Sequence, residues 1–150
     1  RWPIHKWKEF CEKLNHPVIL LGGPEDAVNG NEIAATDKDK IYNACGKFKL
    51  NESADLIRKA KLVITNDTGL MHIAAAFKKP IISLWGNTVP AFGMYPYYGN
   101  APVSDVMLET NRLWCRPCSK IGYNKCPLGH FKCMEHISST TLLEKVIARL

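Results

Sequence analysis

Four residues of this 150-residue chain have types and spacing suited to chemistry: Asp67, Thr68, Gly69 and His72. They follow Leu62-Val63-Ile64-Thr65, a short unbroken apolar run of the kind that forms a buried parallel strand. Asp67 or Thr68 is expected to cap a helix, with Leu70, Ile73, Ala74 and Phe77 on one face at i, i+3, i+4 and i+7. Gly69 in the first turn lets another group approach the backbone closely. The N–H groups of Thr68 and Gly69 would then lie at the positive end of the helix dipole, beyond the carboxyl end of a strand. Open α/β sheets bind phosphate there. A capped helix with no ligand has the same local pattern, so the turn alone leaves both readings open. Asp67 is placed to accept from sugar hydroxyls or to act as the cap. His72, one turn on, could hydrogen-bond phosphate or buttress the turn, with buttressing slightly favoured.

A second candidate group follows the run Pro17 to Gly22. Gly23 sits in the turn, and Glu25 or Asp26 could hold ribose hydroxyls in a bidentate way. The alternative is that these carboxylates complement the dipole of the next helix.

The third group is Cys115-x2-Cys118-x7-Cys126-x6-Cys133, with His130 between the last two cysteines. Cys-x2-Cys is a good turn for zinc, because tetrahedral thiolate sites use close pairs. The second pair is spaced more loosely than in common zinc ribbons. A structural zinc, two disulfides and four reduced thiols packing a small lobe at about 111–136 all compete. Reduced thiols are preferred slightly over zinc, and disulfides come last. Cys11 and Cys45 read as buried small apolar residues.

The elements that must position these groups alternate. A helix follows Trp2-Pro3, with Pro3 near its first position and Trp7, Phe10, Cys11 and Leu14 as its stripe. Strands are expected at Pro17–Gly22, Ile41–Cys45, Leu62–Thr65 and Pro80–Trp85. Helices are expected at about Ala27–Ala35, from Leu50 to Lys59, after Thr68, and from Ser139 to Leu150. Thr141 and Glu144 suggest a capping box for the last helix. Short apolar strands alternating with helices predict a Rossmann-like parallel sheet with flanking helices and right-handed crossovers. Pro90, Gly93, Pro96 and Gly99 make Asn87–Pro102 a long loop. Its Phe92, Tyr95, Tyr97 and Tyr98 either stack on a base or sugar or fill a satellite core.

The string Val63 to Gly86, "VITNDTGLMHIAAAFKKPIISLWG", closely resembles the signature of the heptosyltransferases of glycosyltransferase family 9. The resemblance extends over essentially the whole chain and corresponds to the family's C-terminal, donor-binding half in a GT-B enzyme. "CPLGHFKCM" also resembles a recurring family segment. The resemblance implies transfer of heptose from ADP-heptose to lipopolysaccharide core, with the Asp67-Thr68-Gly69-x2-His72 turn receiving the donor diphosphate. It places Leu50 and its neighbours beside the base. It implies a donor-phosphate lysine just before Arg1, and a general-base aspartate in an N-terminal acceptor domain outside residues 1–150. On this reading the first strand of the domain is missing and these residues alone do not turn over. No cofactor is implied at the reaction centre. The implied setting is cytoplasmic, peripheral to the inner membrane, with a glycolipid acceptor.

Composition agrees with such a domain. Hydrophobic content is 46%, charged content 23% and formal net charge +6, values of a globular chain that suits an anionic partner. No apolar run approaches the ~20 residues of a membrane span, and no signal peptide is recognisable at the start. No basic block interleaves with aromatics, so nucleic acid is not an expected partner. Two readings from other classes stand beside the enzyme: a non-catalytic nucleotide-diphosphate-binding module, and a cysteine-rich zinc interaction domain.

Overall fold

The structure is a computed structural model and describes residues 1–123 and 125–150. The chain runs α1 (Ile4–Lys13), β1 (Val18–Leu20), a 3-10 turn (Pro24–Asp26), α2 (Ala27–Ala34), β2 (Ile41–Asn43), α3 (Leu50–Lys59) and β3 (Val63–Asn66). It continues through α4 (Gly69–Ala76), β4 (Ile81–Trp85), a second 3-10 turn (Pro90–Phe92), β5 (Asp105–Glu109), α5 (Lys132–Glu135) and α6 (Ser139–Ile147). Every strand pair is parallel, as the alternation predicts. The ladder comes in two pieces, β1-β2 and β3-β4-β5.

β4 is the centre of the fold, and all five of its residues are buried. Successive side chains point to opposite faces of a strand. Ile82 and Leu84 join Trp2, Phe10, Cys11, Leu142 and Val146 in one core, beneath α1 and α6. Ile81 and Trp85 join Ile57, Met71, Ala74, Ala75 and Tyr98 in the other, beneath α3 and α4. Each large apolar side chain so buried contributes roughly 1.5–3 kcal/mol. Helices on both faces explain why β4 is apolar at every position but Ser83, without alternation.

Several expectations need correction. The buried stripe of α4 is Met71, Ala74 and Ala75, while Phe77 is 41% exposed and Leu70 and Ile73 pack at the edge. The small Ala74 and Ala75 bring the helix close to the sheet, and that geometry overrides the larger apolar set. Pro3 is the N-cap of α1, extended at ψ 145°, rather than its first helical residue. Ser138 caps α6 through its Oγ, which accepts from the Thr141 amide at 3.4 Å, so the anticipated Thr141–Glu144 box is not the cap.

The strand β5 was not anticipated. It begins and ends on acidic residues, and Met107 is 41% exposed, so it lacks the apolar run of the inner strands. β1 and β2 are shorter than expected, but their chains stay paired past the strand ends. The Ala44 amide donates to Leu20 O at 2.9 Å and the Gly46 amide to Gly22 O at 3.0 Å. Gly46 has φ +72°, and a Cβ there would stand 2.8 Å from Pro24 Cα, so only glycine fits. In the long loop, Tyr98 is buried and its hydroxyl donates to Lys79 O and Ser104 O, whereas Phe92, Tyr95 and Tyr97 are exposed.

Candidate functional site

β3 ends at Asn66 and α4 begins at Gly69, so Asp67 and Thr68 form the crossing turn at the carboxyl edge of the sheet. Thr68 is the N-cap residue, with extended backbone at φ −148° and ψ 164°. α4 nevertheless has no side-chain cap hydrogen bond. The Thr68 hydroxyl lies 3.2 Å from Thr65 Oγ1 instead, and Asp67 Oδ2 accepts from Thr88 Oγ1 at 3.1 Å. The first inward bond of the helix runs from the Met71 amide to Thr68 O at 3.1 Å. A Cβ added at Gly69 would meet nothing within 4 Å. The turn thus presents an open helix start, with N–H groups toward which the helix dipole draws negative charge.

His72 stands one turn into α4 and is exposed. The bonds that brace the turn come from Thr65, Thr88 and the backbone. The buttressing role anticipated for His72 therefore falls to those residues.

Gly23, Glu25 and Asp26 gather at the end of β1. Asp26 Oδ2 accepts from the Gly23 amide at 3.1 Å, and Oδ1 pairs with the Arg1 guanidinium. Each Asp26 oxygen thus already has one partner within the protein, and further acceptor capacity remains on both. Glu25 lies 3.9 Å from Arg1 and is mostly exposed. Leu50 is 65% exposed at the start of α3.

Residues not anticipated as functional tie these pieces together. Trp2 follows Arg1, and its amide donates to Asn66 Oδ1 at 3.4 Å, so Arg1 lies between the ends of β1 and β3. Asn66 Nδ2 donates to Leu84 O at 3.2 Å, linking β3 to β4. The Arg116 side chain is 6% exposed. Its guanidinium donates to Gly86 O at 2.5 Å, Thr110 O at 2.6 Å, Thr88 O at 3.1 Å and Glu109 Oε2 at 2.9 Å. A buried arginine with four acceptors leaves no pattern of spacing in the sequence.

The cysteine-rich stretch is mostly turns, fixed to the end of β4. The Cys118 amide donates to Asn87 O at 3.0 Å, and Asn87 Nδ2 donates to Tyr123 O at 2.8 Å. Cys115, Cys118, Cys126, Cys133 and His130 line one cavity of about 280 Å³. All six cysteines are free thiols, so the disulfide alternative is not what the fold adopts. Among the described residues, no three His, Cys, Asp or Glu side chains are arranged to hold a metal ion. Cys115 Sγ lies 3.8 Å from His130 Nε2, and Cys118 Sγ donates to Cys115 O at 3.3 Å. Burial first, then the facing thiols, push Cys118 and Cys133 above the ordinary thiol range. Backbone N–H groups, Phe131 first, hold Cys126 below it.

Comparison with known proteins adds identity to this geometry. The family described as glycosyltransferase family 9 (heptosyltransferase) matches residues 1–125. The lipooligosaccharide heptosyltransferase 2 of Haemophilus influenzae is 39% identical over an alignment of 99 positions, with 61% of this chain and 29% of that protein covered. Its namesake from Campylobacter jejuni serotype O:2 is 30% identical over 135 residues, 87% of this chain and 40% of the other. Among solved structures, E. coli ADP-heptose lps heptosyltransferase II is similar with a TM-score of 0.77 and 26% identity, covering 99% of this chain and 41% of that one. A family 9 glycosyl transferase from Veillonella parvula gives 0.75 and 26%, with the same coverage. The chain spans well under half the length of these relatives.

Proposed function

The chain belongs to glycosyltransferase family 9, and we propose that it is the donor-binding half of a heptosyltransferase acting in lipopolysaccharide core assembly. The donor is ADP-heptose or a similar nucleotide sugar. The relatives named above support this reading, since one is an ADP-heptose enzyme and others are lipooligosaccharide heptosyltransferases.

The observation that carries it is the uncapped start of α4 beside Gly69, at the carboxyl edge of a parallel sheet. Transfer from a nucleotide sugar needs the leaving diphosphate stabilised. The Thr68 and Gly69 amides supply that, and Asp67 keeps Oδ1 for a sugar hydroxyl while Thr88 holds Oδ2. On this reading no metal is needed at the reaction centre, because amides and the helix dipole take its place. Base and ribose lie toward Gly23, Glu25 and Leu50. The acceptor hydroxyl and the group that deprotonates it belong to an apposed acceptor domain. The acceptor is a glycolipid, and the working enzyme sits at the cytoplasmic face of the membrane as a peripheral protein.

Calorimetric titration of this chain with ADP, UDP and GDP tests the proposal. ADP should bind best. Gly69→Val, whose side chain projects into the open approach, should weaken ADP at least about tenfold while leaving the thermal midpoint nearly unchanged. Unchanged ADP affinity in folded Gly69→Val protein would remove the diphosphate from this turn.

A further inference from the structure

We propose that Thr88 is a positioning residue that keeps the Asp67 carboxylate off the first turn of α4, so that its amides stay free for the donor diphosphate. The inference rests on the donor-site reading above and concerns how that site stays open.

Aspartate and threonine are the residues that ordinarily close a helix start. An aspartate side chain also bonds readily to the amide two residues on, which here is Gly69. The sequence Asp67-Thr68-Gly69 should therefore cap itself. A carboxylate so placed would occupy the same N–H groups as a phosphate and set a negative charge against it. Neither side chain closes the helix start, although Thr68 is the N-cap residue. Thr68 turns its hydroxyl to Thr65, and Asp67 turns Oδ2 to Thr88.

The force that diverts Asp67 comes from β4's far end. Thr88 is 7% exposed, so its hydroxyl has little water to bond and its partner within reach is Asp67. Its backbone is fixed as well. Arg116 binds the carbonyl oxygens of Gly86 and Thr88, on either side of Asn87, and Asn87 is itself tied to Cys118 and Tyr123. The hydroxyl is thus presented from a rigid support, and the cysteine-rich stretch acts on the donor turn through Arg116 and Thr88.

ADP titration of this chain, with paired variants, tests the proposal. Thr88→Val keeps the shape and removes the hydroxyl, and should weaken ADP about tenfold. Thr88→Ser keeps the hydroxyl and should stay within about twofold. In an Asp67→Ala background, Thr88→Val should cost nothing further, because no carboxylate is left to withhold. ADP carries no sugar at the donor position, so Asp67→Ala does not remove a sugar contact in this assay. Amide hydrogen exchange in the ligand-free protein gives an independent readout: Gly69 and Leu70 should exchange more slowly in Thr88→Val than in the parent. A loss of affinity that persists in the Asp67→Ala background, or Gly69 and Leu70 amides equally exposed in both proteins, would overturn the proposal. If the parent chain fails to bind ADP at all, the donor-site reading falls, and the exchange measurement still decides the role of Thr88.

Discussion

Arg116 Nη2 donates to the Thr88 carbonyl oxygen at 3.1 Å, which fastens the cysteine-rich stretch to the loop that braces the Asp67 turn. The same guanidinium satisfies Gly86 O, Thr110 O and Glu109 Oε2. Removing it leaves three carbonyls and a partly buried carboxylate without their partner. Arg116→Met should therefore destabilise the chain by about 3 kcal/mol. Arg116→Lys should recover only part of that, since an ammonium cannot reproduce the planar fork. Urea unfolding gives the comparison, and a loss below about 1 kcal/mol for Arg116→Met would show that the loop holds without the clamp.

Gly30 lies inside α2, where alanine would ordinarily be favoured by about 0.5–1 kcal/mol. Here a Cβ would stand 2.3 Å from Asn43 Oδ1. Asn43 is buried, with its amide bonded to Ala27 O and Asn31 Oδ1 and its Oδ1 accepting from the Cys45 amide. Gly30→Ala must push that side chain away, so it should destabilise by about 2 kcal/mol despite the better helix propensity. Gly69→Ala, with open space around it, is the control and should be near neutral. A Gly30→Ala protein as stable as its parent in thermal unfolding would mean that Asn43 moves at no cost.

The strand-turn-helix around Asp67 was legible because each part has a local signature: a β-branched run, a capping triplet with glycine, and small residues at helical spacing. The central place of β4 was legible for the same reason, as a run that is apolar except for Ser83. What was not legible depends on contacts far apart in sequence. Thr88 reaches Asp67 across 21 positions, and Arg116 reaches Gly86 across 30. The pairing of Arg1 with Asp26 spans 25 positions and leaves no local signature either. β5 escaped because an edge strand has acidic ends and half-exposed positions. The expected α4 stripe shared only Ala74 with the buried one, because the large Leu70, Ile73 and Phe77 were favoured over Met71 and the small Ala75, although small residues are what allow close packing.

Asp105 opens β5 with one oxygen accepting from Ser83 Oγ at 3.1 Å, and Ser83 also accepts from Trp85 Nε1 at 2.9 Å. Its other oxygen is buried without a partner. Burial raises its pKa above the ordinary carboxylate value, against the opposing pull of the Ser83 bond. A raised folded-state pKa means that the folded form binds the proton more readily than the unfolded form. The associated stability is present below the unfolded pKa and is lost as pH rises through the folded one. Asp105→Asn removes the charge and keeps an acceptor for Ser83. The variant should melt higher than its parent at pH 7, with the gap narrowing as pH falls toward 4. A gap that is absent at pH 7, or that widens on acidification, would contradict the assignment.

The free thiols should differ in reactivity in an order that burial and hydrogen bonding set. Only the thiolate attacks an alkylating reagent. Cys126 is half-buried, and backbone N–H groups, led by Phe131, favour its ionised form. Cys11 is fully buried on α1, and burial pushes its thiol up to about 11. Iodoacetamide at pH 7.5, followed by peptide mass analysis over time, should label Cys126 first and Cys11 last. Cys118 and Cys133 fall between them, slowed by burial and by the thiols they face. The same protein, purified without chelator and without added zinc, should carry no stoichiometric metal and should give six titratable thiols on unfolding. One zinc per chain, with Cys115, Cys118, Cys126 and Cys133 protected together, would show instead that the side chains around the 280 Å³ cavity rotate to a common centre. That result would make the cysteine-rich stretch a metal-stapled support for Arg116.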